Sequence, residues 1–282
     1  MVNISILGGG SMAEALTAGW VRSGKVPSGN ILASNRSNDL RLKELEETYG
    51  IKTSRSPEKI YDHGDIFILA CKPKDWQKAL APFKNFLNPD TPLVSVMAGV
   101  TINSMEDFFP ETQVPVMRTI PNTSAVVNAS MTPYAAGKWV TADQKTSINH
   151  LFQLVGDTAE VPEQSMDAMT ALTGTGPAYI YYLMESMELA AEEIGIDKKL
   201  ARHLVSQTLL GAGLRVQEND LSPSILYQQI MSPGGTTEAG FKVLKEQGMQ
   251  DIMINCIHRA FERSKELGGS ETNALAFNKN HL

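Results

Sequence analysis

The segment Ile4-Ser5-Ile6-Leu7-Gly8-Gly9-Gly10-Ser11-Met12-Ala13 decides how the rest of the chain is read. A short apolar run makes a buried strand, and three glycines end it. Met12, Leu16 and Trp20 follow at intervals of four, which places them on one face of a helix over 11–23. Gly24 is positioned to stop that helix. The loop between strand and helix fits G-x-G-x-x-G/A. Glycines allow a tight turn and close approach of the backbone to a pyrophosphate, held by the free N–H groups and positive dipole end of the helix. Gly8, Gly10, Ser11 and Met12 are therefore candidate cofactor residues. A plain strand-to-helix turn is the alternative, and three glycines with these flanks favour the dinucleotide.

The next strand, Ile31-Leu32-Ala33, leads into Ser34-Asn35-Arg36-Ser37, with no acidic residue before Asp39. A site preferring NAD usually offers a carboxylate here for the ribose 2′-hydroxyl. Arg36 is instead suited to a 2′-phosphate, with Ser34 and Asn35 as further donors, so NADP(H) is the expected cofactor and NAD(H) stays open as a second one. A solvated surface arginine is the competing reading of Arg36.

Two more apolar runs, Asp65-Ile66-Phe67-Ile68-Leu69-Ala70 and Leu93-Val94-Ser95-Val96, end in Cys71-Lys72-Pro73 and Met97-Ala98-Gly99. Residues 40–49 read as a helix with its charges on the outer face. Strands alternating with helices predict a mostly parallel sheet wrapped on both faces. Ligands of such sheets bind outside the carboxyl ends of the strands. Ala70, Lys72, Pro73, Ala98 and Gly99 would then line the nicotinamide side, although each segment alone also reads as a strand-terminating turn.

After about residue 161 strand-like alternation stops, and 164–267 reads almost wholly as helix. We therefore divide the chain into 1–162, 163–268 and a polar, flexible tail over 269–282. Ala178-Tyr179-Ile180-Tyr181-Tyr182-Leu183-Met184 is apolar nearly all round, and such a helix needs partners on every side. An obligate homodimer satisfies that demand better than a central core helix of a monomer. Glu185, Glu188, Glu192 and Glu193 exclude this stretch as a membrane span.

Two glycine-rich interruptions punctuate the helical half: Thr173-Gly174-Thr175-Gly176-Pro177 and Ser232-Pro233-Gly234-Gly235-Thr236-Thr237. In the second, the N–H groups of Gly235, Thr236 and Thr237 lie at a helix start and suit a small anion such as a carboxylate. A capped turn between helices is the plainer reading.

Composition narrows the function. Charged residues are 20% of 282, the net charge is −6 and no basic stripe is present, which argues against a nucleic-acid binder. Cys71 and Cys256 are too few for a disulfide framework and lack metal-ligand spacing, so a reducing cytoplasmic setting without a metal is expected. His63, His150, His203, His258 and His281 adjoin no glycine motif. A hydroxy-acid dehydrogenase normally needs a base such as His or Lys. An imine can arrive protonated, and its reduction suits this sparse inventory.

Taken together, these residues resemble the pyrroline-5-carboxylate reductase family over residues 2 to about 268. The match rests on the glycine loop, on Ala70-Cys71-Lys72-Pro73, on Arg118-Thr119-Ile120-Pro121-Asn122-Thr123, on 167–179, and on Ser232 to Thr237 with Ala239-Gly240 following. The resemblance implies an α/β chain, with an N-terminal Rossmann-type doubly wound sheet followed by an all-helical dimerisation domain. It also implies a small cyclic imino acid as substrate, bound at the dimer interface against the nicotinamide, and in some members dimers joined into decamers. Carried over residue by residue, the carboxylate site is the backbone of Gly235, Thr236 and Thr237, in a loop that includes Gly234. The Thr237 hydroxyl becomes the proton donor to the ring nitrogen, Ser232 shapes the loop, and Glu163 and Thr175 stand near the imino acid. Asn122 joins the cofactor set. Thr173 and Thr175 replace two serines of the family pattern, and Ile120 replaces a methionine.

A 3-hydroxy acid dehydrogenase would share this architecture but needs a lysine on the central helix, where apolar residues and glutamates stand. A nucleotide-binding regulator without activity would be expected to lose the loop at 232–237, which is intact.

Overall fold

The structure, a computed structural model, describes residues 2–279, with side chains described as far as 267. Eight strands form one sheet: β1 (Ile4–Leu7), β2 (Ile31–Ser34), β3 (Lys52–Thr53), β4 (Ile66–Leu69), β5 (Leu93–Ser95), β6 (Val116–Thr119), β7 (Ser130–Ala136) and β8 (Gly156–Glu160). Their spatial order is β3-β2-β1-β4-β5-β6-β7-β8. The β1 strand pairs in parallel with both β2 and β4, so the chain order reverses beside the glycine loop. Parallel pairing continues to β6, β7 runs antiparallel to β6, and β8 runs parallel to β7.

The sheet is doubly wound because its apolar side chains alternate between two cores. Ile4, Ile6, Ile31, Ile66, Ile68 and Val94 face a core that includes Leu16 and Trp20 of α1 (Ser11–Arg22). Leu7, Leu32, Phe67, Leu69 and Leu93 face the opposite core. The first core also takes Leu45 of α2 (Asp39–Tyr49) and is covered by α6 (Ala142–Gln153), while the second takes up side chains of α3 (Pro57–His63), α4 (Trp76–Leu80) and α5 (Ile102–Glu106). The Trp20 indole N–H donates to the carbonyl of Leu151 at 2.9 Å, which fixes α1 against α6.

The strands recognised in the sequence are the apolar ones, β1, β2, β4 and β5. Two of the others hide their burial behind polar residues: Ser130 and Thr132 of β7 are buried, and so is Arg118 of β6. The β8 strand has no buried residue and carries Asp157 and Glu160. Asparagine 128, with φ +57°, turns the chain into β7 and donates to the carbonyls of Gly19 and Leu154 at 2.8 and 2.7 Å.

The chain divides by packing into two compact units, Met1–Pro177 with Ala260–Leu282, and Ala178–Arg259. The first unit thus takes in α7 (Met166–Met169) and a π-helical turn over Thr170–Gly174. The second contains most of α8 (Gly176–Glu193), all of α9 (Lys198–Gln217), α10 (Pro223–Ile230) and α11 (Thr236–Glu246), and the start of α12 (Met249–Lys279). The last helix runs on through most of the expected tail at 269–282, where side chains lie outside the described residues.

No residue of α8 is buried within one chain, and Tyr181 and Tyr182 are 57% and 74% exposed. That excludes the alternative of a monomer core helix. Among the described residues no helix is long and apolar enough to cross a membrane.

Candidate active site

Local chemistry forces the glycine loop into its shape. Gly8 has φ +135°, and a β-carbon there would stand 2.5 Å from the Ala70 carbonyl oxygen, so β1 and β4 close together only over a glycine. Gly10 is the N-cap of α1 and brings no side-chain cap, while a β-carbon on it would meet nothing within 4 Å. The first-turn N–H groups of α1, those of Ser11 and Met12 among them, have no acceptor within the helix, and the helix dipole lies behind them. This is a fit for a pyrophosphate.

A network that the sequence did not disclose underlies the loop. The Arg41 Nε donates to the carbonyl of Gly9 at 2.9 Å. Its other donors pair with Glu14 and, at 2.8 Å, with Glu44, and the Glu14 carboxylate also accepts from the Tyr49 hydroxyl at 3.1 Å. Glu14 first, then Glu44, raises the pKa of Arg41. Burial, then Glu14, pushes that of Tyr49 up. The expectation that the charges of α2 lie on its outer face fails at Arg41, which turns inward because the loop carbonyl needs a donor.

At the end of β2 the expected donors divide. Ser34 is buried, and its hydroxyl donates to the carbonyl of Ile6 at 3.1 Å. The Asn35 side chain closes a turn, donating to the Asn38 carbonyl at 2.7 Å and accepting from the Asn38 N–H at 2.9 Å. Arg36 remains exposed at the rim, 3.5 Å from Asp75. Ala70, Lys72, Pro73, Ala98 and Gly99 all follow the carboxyl ends of β4 and β5, on the rim that carries the glycine loop. Burial pushes the Cys71 thiol up to about 11, and its sulfur lies 3.7 Å from that of Met97. It stays protonated at neutral pH.

Asn122 is an anchor in this structure. Its side chain donates to the Thr173 carbonyl at 3.1 Å and accepts from the Ser124 N–H at 3.0 Å. The Glu163 carboxylate accepts from the Ile102 N–H at 2.6 Å. Buried Arg118 donates to Asp167 at 3.2 Å, and Ser264 of α12 donates to the same carboxylate oxygen at 2.8 Å. The hydroxyls of Thr173 and Thr175 donate to the carbonyls of Met169 and Ala171, four residues back, at 2.9 and 2.7 Å. Exchanging serine for threonine thus keeps a hydroxyl bonded to the helix backbone.

In the second unit, Gly234 takes φ +73° and its N–H donates to the Glu238 carboxylate at 2.7 Å. The Gly235 N–H donates to the Ser232 carbonyl at 3.0 Å, which withdraws one of the three expected backbone donors. A β-carbon on Gly235 would stand 2.5 Å from the Ser232 hydroxyl oxygen. Gly235 is also the N-cap of α11 and contributes no side-chain cap, so the donors left at this helix start are those of Thr236 and Thr237.

With this geometry in hand, comparisons with known proteins settle the family. A pyrroline-5-carboxylate reductase from Bacillus subtilis is 42% identical over 264 residues, covering 94% of this chain and 89% of its own. The chain belongs to the pyrroline-5-carboxylate reductase family. A reductase of the same name from Methanosarcina acetivorans is 37% identical over 94% of the chain and 97% of its own length. Residues 163–267 match the family model described as pyrroline-5-carboxylate reductase dimerisation, and 3–99 match one described as NADP oxidoreductase, coenzyme F420-dependent. The crystal structure of a Plasmodium falciparum pyrroline carboxylate reductase with NADP bound superposes with a TM-score of 0.86 at 28% identity, covering 95% of this chain and 98% of that one. The chain is thus an oxidoreductase that uses NAD(P)H, with a helical dimerisation domain. Membership in the pyrroline-5-carboxylate reductase family also explains why α8 is left bare in a single chain.

Proposed function

We infer that this protein reduces the cyclic imine of 1-pyrroline-5-carboxylate to L-proline, the last step of proline biosynthesis, preferring NADPH, as a homodimer in the cytoplasm. The observation that carries the substrate side is the start of α11: a positive-φ glycine, a glycine N-cap without a side chain, and two threonines in the first turn.

Residues 1–162 serve as the cofactor domain and 163–268 as the substrate and dimerisation domain. Gly8, Gly10, Ser11 and Met12 would hold the pyrophosphate, and Arg36 the 2′-phosphate. Asn35, Ala70, Lys72, Pro73, Ala98 and Gly99 line the same rim, with Ser34 and Asn122 bracing it from behind. Bound there, the dinucleotide supplies the hydride that the imine carbon receives.

The remaining work falls to the α11 loop. The N–H groups of Thr236 and Thr237, at the positive end of a helix dipole, bind the substrate carboxylate and fix its orientation. The Thr237 hydroxyl donates to the ring nitrogen, so that hydride arriving at the carbon is matched by a proton delivered to the nitrogen as the C=N bond is reduced. Ser232, Gly234 and Gly235 set the loop. Glu163 and Thr175 act through the backbone they brace. No general base is required, which agrees with the absence of histidine from these loops.

Steady-state assays with NADPH and NADH side by side test the reading. Consumption of NADPH on adding pyrroline-5-carboxylate, at a kcat/KM above that with NADH, supports it. Equal values with the two nucleotides would remove the preference and leave the reaction. Light scattering on the purified protein should give a dimer or a multiple of it, a decamer being the highest state expected.

A further inference from the structure

We propose that Arg55 is a second specificity-determining cation for the cofactor's 2′-phosphate, with Asp39 as the counterion that the phosphate displaces. The proposal rests on the NADP(H) preference inferred above. It starts from register. Ala33 of β2 stands opposite Thr53 of β3, and the Ser54 N–H donates to the Ala33 carbonyl at 3.2 Å. Two residues further on, this pairing brings Arg55 beside Asn35. The Arg55 Nε donates to the Asn35 carbonyl at 3.2 Å, and Nη2 donates to the Asn35 side-chain oxygen at 3.1 Å. Asn35 in turn abuts the glycine loop, its amide nitrogen 3.6 Å from the point where a β-carbon on Gly9 would stand. One residue therefore separates the Arg55 guanidinium from the loop that fits a pyrophosphate.

The charges at this corner suit a dianion. Arg55 Nη1 lies 2.5 Å from the Asp39 carboxylate, and Arg36 Nη1 lies 3.5 Å from that of Asp75. Arg55 is held on three sides with its side chain 35% exposed, whereas Arg36 is 76% exposed and has one partner at the limit of contact. Asp39 is 83% exposed, and an ion pair to so open a carboxylate is weak and readily exchanged. A guanidinium has five N–H donors, and the contacts of Arg55 use one on each nitrogen. With Asp39 displaced, Nη1 offers both its N–H groups and Nη2 one more, enough to engage a phosphate. A phosphate monoester carries close to two negative charges at neutral pH against one for Asp39. It takes Arg55 with a stronger field and leaves Asp39 free to turn to solvent. Arg36, in the same bend between β2 and α2, supplies the second cation.

The experiment is calorimetric titration of 2′,5′-ADP and 5′-AMP into the full-length protein and its variants. Wild type should bind 2′,5′-ADP more tightly than 5′-AMP. Arg55→Gln should weaken 2′,5′-ADP by about ten- to a hundredfold, the size of a lost charge-assisted pair, and change 5′-AMP by less than about threefold. Arg55→Lys, which keeps the charge and loses the fork, should fall between the two. Asp39→Asn should tighten 2′,5′-ADP, by about two- to fivefold on the worth of an exposed pair. If Arg55→Gln weakens both nucleotides equally, Arg55 only supports the Asn35 turn, and the proposal is overturned. If Arg55→Gln or Arg55→Lys binds 2′,5′-ADP as wild type does, the contact is absent. A wild-type protein that does not distinguish the two nucleotides would refute the NADP(H) preference itself, a result separable from either of these.

Discussion

The carbonyl oxygen of Ala70 lies 2.5 Å from the point where a β-carbon on Gly8 would stand. That separation makes the crossing between β1 and β4 a packing constraint as well as a binding feature. Gly8→Ala should separate the two strands, force a side chain onto φ +135°, and cost about 1–3 kcal/mol from backbone strain alone. Thermal unfolding and nucleotide titration on the same sample should show both a lower Tm and a lost cofactor signal. A variant with native Tm and native affinity would mean that the loop tolerates a side chain.

At the other loop, Thr237→Ala should lower kcat by about ten- to a thousandfold, the range spanned by hydroxyl positioning and acid catalysis. Thr237→Ser should recover most of the loss, because serine restores the hydroxyl while the backbone N–H is common to all three. Unchanged turnover in the alanine variant would take the hydroxyl out of the chemistry.

The bare α8 predicts assembly. Tyr182, 74% exposed in one chain, should be covered by a partner. Tyr182→Glu places a charge on that apolar surface and should move the protein to a smaller mass in light scattering at micromolar concentration. An unaltered mass would show that this stretch of α8 lies outside the interface.

Titration supplies a check on the rim. With its ordinary value near 9 and a folded value of about 11, the Cys71 thiol keeps its proton longer in the folded state than in the unfolded one. The folded state thus binds more protons between about pH 9 and 11, and stability should fall as pH rises through that window. Alkylation of Cys71, followed by mass spectrometry of its peptide, should be slow at pH 8 and quicken toward pH 11. Rapid labelling at pH 8 would contradict the burial that raises it.

Much of this site can be read in the residues alone. Gly8 and, in the 232–237 loop, Gly234 announce themselves because their backbones take φ +135° and +73°, which few residue types adopt, while Gly10 leaves space that a side chain would fill. The parallel strands are legible where both faces are buried, as at Ile66-Phe67-Ile68-Leu69. Legibility ends where a polar residue is buried by a distant partner. Arg118 in β6 is recognisable as part of a motif, yet its pairing with Asp167, 49 residues away, is not. Arg41 and Arg55 look like solvated helix and loop charges until the fold brings Gly9 and Asn35 beside them. Asn122 shows the converse: a motif residue assigned to the cofactor is bonded to Thr173 and Ser124.

The most direct test follows the hydrogen itself. The protein is incubated with pyrroline-5-carboxylate and NADPH deuterated at both C4 positions, and the proline formed is weighed by mass spectrometry. The account predicts proline one mass unit heavier, with the deuterium on the carbon that was doubly bonded to nitrogen. Proline without the label, or nucleotide oxidation without proline, would contradict it.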